Sequence, residues 1–294
     1  MKIINISERK ANELRKYEIS CLNTEAILYY FSMKKKWTTE DKIFKKFFIT
    51  NGKDFGNKLT TINSLIDYKD DINIEELVIP DCLVSIKSTI VGYTMDLIDG
   101  FNLSSIIYNS KITIDEKIDI LKKFGLVLRK MENVRKYTSI QDFYIGDIHE
   151  ENIMVDKNGN VRIIDLDSCK ILNNLASPTR YLQSLKRKNI INQKYTIDSI
   201  NPDIITPSEQ TDYYCFIILL LNTLYQGNIT QLEINEYYKY IEFLQNIGIN
   251  KELIEQFNNL YNNKPNNNID YLLDSIGKEA YQARKEVFKM KTRF

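Results

Sequence analysis

The chain has 294 residues, 43% apolar and 27% charged, which excludes disordered and collagen-like classes and allows one or two globular domains. With 40 Lys and Arg against 39 Asp and Glu the net charge is +1, so the chain lacks the overall field of a nucleic-acid or membrane-surface binder.

In chain order, the opening MKIINISERK lacks an apolar stretch of the length a signal peptide needs. The aliphatic run CFIILLL at 215–221 is far short of a membrane span. A cytoplasmic chain without nucleic-acid or membrane partners is the expectation. Residues 26–31 (AILYYF) and 42–49 (KIFKKFFI), separated by the polar KKKWTTED, predict a β-hairpin. Leu59, Ile62, Leu65 and Ile66 recur at helical spacing within 56–70. CLVSI at 82–86 and TIVGYTM at 89–95 predict two more strands, for five strands or fewer with one helix in this part.

After Gly100 the pattern becomes helical. Leu103, Ile106 and Ile107 fit a short helix, and residues 113–135 place Ile114, Ile118, Leu121, Phe124, Leu128 and Met131 on one face. Thr113 and Glu116 form a capping-box pattern at its start. Asp156-Lys157-Asn158-Gly159-Asn160 separates two apolar runs as a tight hairpin. Residues 168–210 read as a long loop with a basic KRK at 186–188, followed by helices at 211–225, 230–247, 250–262 and 269–292. The expected fold class is α+β, with a small β-rich lobe over residues 1–96 and a larger helical lobe over 97–294.

His149 is the one histidine, which excludes a multi-histidine metal site within the chain. Cys21, Cys82, Cys169 and Cys215 are widely spaced with no CxxC pair, a pattern of thiols in a reducing compartment. Chemistry concentrates in YIGDIHEENIMVDKNGNVRIIDLDS at 144–168. Asp147 and Asn152 are five apart in a non-helical segment, and a hairpin then delivers Asp165 at the end of its second strand. If the hairpin folds back, the three side chains converge. Carboxylate and amide oxygens are the hard ligands Mg²⁺ takes beside substrate phosphates. An Asp left free of metal can accept a hydroxyl proton.

The order Asp147, Asn152, hairpin, Asp165 resembles the catalytic signature of the protein-kinase-like superfamily, and the resemblance extends over roughly residues 20–290. It implies a two-lobed fold that moves the γ-phosphoryl group of ATP to a hydroxyl with Mg²⁺ or Mn²⁺. Asp147 would be the catalytic base, and Asn152 and Asp165 metal ligands. Asp167 stands where the family's metal motif usually ends in Gly; it reads as a metal ligand, as a residue that supports the ligands, or as a cap. Lys45, or its neighbour Lys46, resembles the lysine that pairs with the α- and β-phosphates. GYTMDLIDGFNL resembles the strand and hinge that hold adenine, with Met95 at the gate and the backbones of Asp96 and Ile98 as partners. Asp212 resembles the helix Asp that supports the catalytic loop. His149, two residues past the base, is a phosphate contact or a structural residue that fixes the loop.

The chain also departs from the family pattern. SCLNTEAIL at 20–28 has no glycine where a glycine-rich loop is expected. The helix after Lys45 has no Glu to pair with it; Lys58 lies there instead, with Asp67 the nearest shorter acid. Gly146 replaces the Arg that clamps a loop phosphate. The GD-x-H-x-x-N and D-x-D forms look more like the antibiotic and choline kinase branch, whereas TDYYCF looks more like bacterial Ser/Thr protein kinases. The implied acceptor is Ser or Thr of a protein or a small-molecule hydroxyl. The other reading is a pseudokinase or nucleotide-binding interaction module.

Overall fold

The computed structural model describes residues 2–22, 25–34, 39–172, 174, 207–229, 232, 234–246 and 249. Among these the protein is mixed α and β, with a β-rich N-terminal sheet and helices after it. The sheet strands are β1 (Ile3–Asn5), β2 (Glu18–Leu22), β3 (Ala26–Lys34), β4 (Thr39–Phe47), β5 (Cys82–Ile86) and β6 (Thr89–Asp96), in the spatial order β1-β5-β6-β4-β3-β2. Only β1 and β5 run parallel; the other pairs are antiparallel. The expected hairpin is β3–β4, with Ala26 opposite Phe47.

Six strands form where five or fewer were expected. β1 is three residues long, and β2 is mostly exposed, so neither carries an apolar run that the sequence could display. Helix α1 (Glu8–Glu13), also unexpected, has no buried residue and is capped by the Ser7 side chain. Its apolar signal is absent for the same reason.

Helix α2 (Gly52–Asp67) packs on one face of the sheet. Phe55, Leu59, Ile62 and Ile66 recur every three or four residues, and this stripe meets Ile43, Phe47, Leu83, Tyr93 and Met95. Full burial of Ile62 contributes on the order of 1.5–3 kcal/mol. The other sheet face packs Ile6 and Leu14 against Phe31, Phe44, Val84 and Val91. Alternation along β4 sorts its side chains: Ile43, Lys45 and Phe47 share the α2 face, and Lys42, Phe44 and Lys46 the opposite one.

After the short helix α3 (Lys69–Ile72) and the sheet's last strands come β7 (Gly100–Asn102), α4 (Leu103–Ile107) and α5 (Ile114–Tyr137). The capping box forms as expected: Thr113 Oγ1 accepts from the Glu116 amide at 3.3 Å, and Glu116 Oε2 accepts from the Thr113 amide at 2.8 Å. β8 (Phe143–Tyr144) precedes the hairpin β9 (Ile153–Asp156) and β10 (Val161–Ile163). Asp156 Oδ1 accepts from the amides of Asn158 and Asn160, both at 2.9 Å, and Gly159 takes φ +77°, which closes the turn.

β11 (Lys170–Ile171) pairs with β8, and helices α6 (Glu209–Tyr225) and α7 (Ile234–Asn246) follow. The large core gathers α4, α5 and α6 around Leu121, Phe124, Met131, Phe216 and Leu219. Most of the expected 168–210 loop, including the KRK run, and the expected helices 250–262 and 269–292 lie outside the described residues. Among the described residues no helix is long and apolar enough to cross a membrane.

Candidate functional site

Lys45 is 1% exposed, and its side chain lies among carboxylates. Its Nζ donates to Asp165 Oδ1 at 2.6 Å, Asp167 Oδ2 at 2.8 Å and Glu25 Oε1 at 3.0 Å. Of the two neighbouring lysines it is Lys45 that meets these carboxylates, because the β4 pleat turns Lys46 to the other face. Tyr93, opposite Lys45 in the β4–β6 register, is also buried and donates its hydroxyl to Asp167 Oδ2 at 3.4 Å. Lys58 of α2 pairs with Glu25 and reaches Asp167 Oδ1 at 3.5 Å.

Carboxylate oxygens of Glu25, Asp165 and Asp167 lie within 4.8 Å of one another. Burial and the neighbouring lysines set their ionisation more than the like charges do. Burial and the charges of Asp167 and Glu25 push the Asp165 carboxyl up, against the pull of Lys45. Burial also disfavours the Asp167 charge, but Lys45 and Lys58 outweigh it and hold that carboxyl low. Lys45 in turn is desolvated, yet Asp165 and Asp167 raise its pKa well above the ordinary range. Its three carboxylate partners offer hard oxygen donors that suit a divalent cation: Asp165, Asp167 and Glu25 could ligate Mg²⁺.

Asp165 stands at φ +62°, ψ +50°, a left-handed conformation that few residues other than Gly adopt readily. The turn directs the chain from β10 into the short 3₁₀ segment Leu166–Ser168, which carries Asp167. Asn152 is joined to this turn through its carbonyl, which accepts from the Ile164 amide at 2.9 Å. Its Nδ2 donates to the Asp147 carbonyl at 3.1 Å and to Asp147 Oδ2 at 3.4 Å. Asn152 is therefore the link between Asp147 and the Asp165 turn. His149 is buried, with Nδ1 accepting from the Glu151 amide at 3.3 Å and Nε2 at 3.7 Å from Asp147 Oδ2.

Asp212, near the start of α6, holds the loop from beneath. Its two oxygens accept from the Ile145 amide at 2.8 Å and the Gly146 amide at 2.7 Å, immediately before Asp147. Burial pushes the Asp212 carboxyl up to about 7, with those amides opposing. Gly146 has φ +76°, so the missing Arg is tied to a backbone turn that favours glycine.

Met95 is buried against the α2 cluster, and Ile98 packs partly buried on the same cluster. Asp96 ends β6, where its side chain pairs with Lys42. These three lie on the passage from β6 to β7, and β7 pairs with β9 of the hairpin. Glu25 and Tyr93 carry no sequence signal of a site: Glu25 lies within the glycine-free 20–28 stretch with no spacing pattern, whereas Tyr93 stands two residues before Met95 on the same strand face. Asp67, the acid expected nearest to Lys45, is exposed at the end of α2; Glu25 stands beside the lysine instead. No protein-family model matches this chain, and no curated protein matches it.

Proposed function

We propose that the protein is an ATP- and Mg²⁺-dependent phosphotransferase of two-lobed, protein-kinase-like architecture, acting on a Ser or Thr hydroxyl of a protein. The observation that carries this reading is the buried Lys45 at 2.6 and 2.8 Å from Asp165 and Asp167, residues 120 and 122 positions away in the sequence. A lysine desolvated in this way is prepared to meet phosphate, and the two carboxylates to hold a metal. Mg²⁺ bound there would neutralise phosphate charge during transfer. Met95 and the backbones of Asp96 and Ile98 would hold adenine, and His149 would either contact phosphate or fix the loop.

Asp147 is 32% exposed at its side chain, so an acceptor hydroxyl can reach it. It would accept the hydroxyl proton as that oxygen bonds to the γ-phosphorus and the bond to ADP breaks. Asn152 orients Asp147, and Asp212 fixes the two amides before it. Incubation with γ-labelled ATP and Mg²⁺ or Mn²⁺ tests the reading: label on a protein substrate is the expected result. Label on a small molecule would move the acceptor to the antibiotic and choline kinase class.

A second reading, a nucleotide-binding module without transfer, draws on the same ammonium. Three carboxylates already engage Lys45, and no glycine lies at 20–28 to cradle phosphate. Binding of ATP with no label transferred to any acceptor would favour it.

A further inference from the structure

We propose that Glu25, in the corner between β2 and β3, is the positioning residue of Lys45, and that Lys58 on α2 is its charge complement. The inference rests on the phosphotransferase reading and assigns it a residue that the sequence pattern did not supply. Glu25 Oε1 lies 3.0 Å from Lys45 Nζ and also pairs with Lys58 Nζ. Both ammonium groups lie over the Phe47 ring, at 5.6 and 5.5 Å from its centroid.

The backbone of Glu25 is held at both ends. Its amide donates to the Leu22 carbonyl at 2.9 Å, and its carbonyl accepts from the Phe48 amide at 3.0 Å. Ala26, the next residue, is fully buried opposite Phe47. Glu25 and Lys45 therefore belong to one hydrogen-bonded sheet. An acid on a separate helix would come to the lysine only when that helix packs closely. Here the pair forms between the β2–β3 corner and β4 of the same sheet.

With Glu25 in the corner, a third carboxylate lies within 4.8 Å of Asp165 and Asp167. Like charges so close repel unless a cation sits between them. Lys45 touches all three, and Lys58 adds a second cation between Glu25 and Asp167. Acid on the corner and cation on the helix form one complementary unit, and exchanging them should preserve its net charge.

The test compares the parent with Glu25→Gln, Glu25→Asp and the exchanged double variant Glu25→Lys with Lys58→Glu. Phosphoryl transfer, Mg·ATP affinity, Mg²⁺ requirement and thermal midpoint are measured for each. Glu25→Gln should keep its fold and lose about 10- to 100-fold in kcat, the scale of a misplaced reacting group. Glu25→Asp should recover part of the loss, and the exchanged variant should return to within about tenfold of the parent. Unchanged transfer by Glu25→Gln overturns the proposal, and so does a folded exchanged variant no better than Glu25→Gln. A raised Mg²⁺ requirement with unchanged kcat at saturating Mg²⁺ also overturns it, and makes Glu25 a metal ligand. A parent that transfers no phosphate overturns the phosphotransferase reading itself, which an active parent with a silent Glu25→Gln does not.

Discussion

Lys45 Nζ and Asp165 Oδ1 are 120 residues apart in sequence and 2.6 Å apart in space. The contact joins the centre of the six-stranded sheet to the turn that ends the β9–β10 hairpin. It also leaves a charged group with almost no water around it, so on the proposed function stability and chemistry would meet at the same atom.

Removing that ammonium should be costly. Lys45→Met leaves the buried Asp167 and the partly buried Asp165 without their main counter-charge, and we expect a loss of about 3–5 kcal/mol in denaturant unfolding. Lys46→Met, one residue on and on the opposite sheet face, should change stability by about 0.5 kcal/mol or less. Equal losses for the two would contradict the assignment of Lys45.

Asp165→Asn and Asp147→Asn should fail differently. The first removes a carboxylate ligand, so Mg²⁺-dependent nucleotide binding should collapse. The second should still bind Mg·ATP while transfer slows by on the order of 10²–10⁴-fold, the contribution of a positioned base. Calorimetric titration beside single-turnover kinetics separates them. Equal loss of binding and transfer in Asp147→Asn would make that residue structural.

Asp212 predicts a slope of stability with pH. Its carboxyl is pushed from 3.8 to about 7, chiefly by burial, with the Gly146 and Ile145 amides and Arg135 opposing and Glu209 adding to the rise. Between these values the unfolded carboxyl has lost its proton while the folded one keeps it. The folded state therefore binds more protons, and stability falls as pH rises, by about 1.4 kcal/mol per pH unit. Denaturant midpoints of the parent and Asp212→Asn across this range check it. The variant should be less stable at the low end and should lack this part of the slope.

Gly92 faces Lys45 and Lys46 across the β4–β6 pairing, beside a register shift between β5 and β6. A Cβ there would lie 1.9 Å from the Lys45 carbonyl oxygen, which belongs to the backbone and cannot swing away. Gly92→Ala should cost about 1–3 kcal/mol by forcing the strands apart. It should also weaken Mg·ATP binding, since the displaced residue is Lys45. A thermal midpoint unchanged from the parent would show that the strands accommodate the methyl group.

Local order was readable from the sequence wherever burial is periodic or a turn has its own chemistry. The apolar stripe of α2, the Thr113–Glu116 cap, β5 and the Asp156–Asn160 turn each arise from neighbours within a few residues. The same holds for the spacing of Asp147, Asn152 and Asp165, which resides on one loop and one hairpin. Elements without a buried face, β1, β2 and α1, gave no such pattern. The choice of Lys45 over Lys46 depended on which face of β4 meets α2, a question of sheet register. Glu25 became a partner of Lys45 only because pairing of β2, β3 and β4 brings that corner over the buried ammonium. A solitary Glu in a polar turn has no periodicity, so its role is set by long-range strand pairing and by the desolvated charge that it reaches.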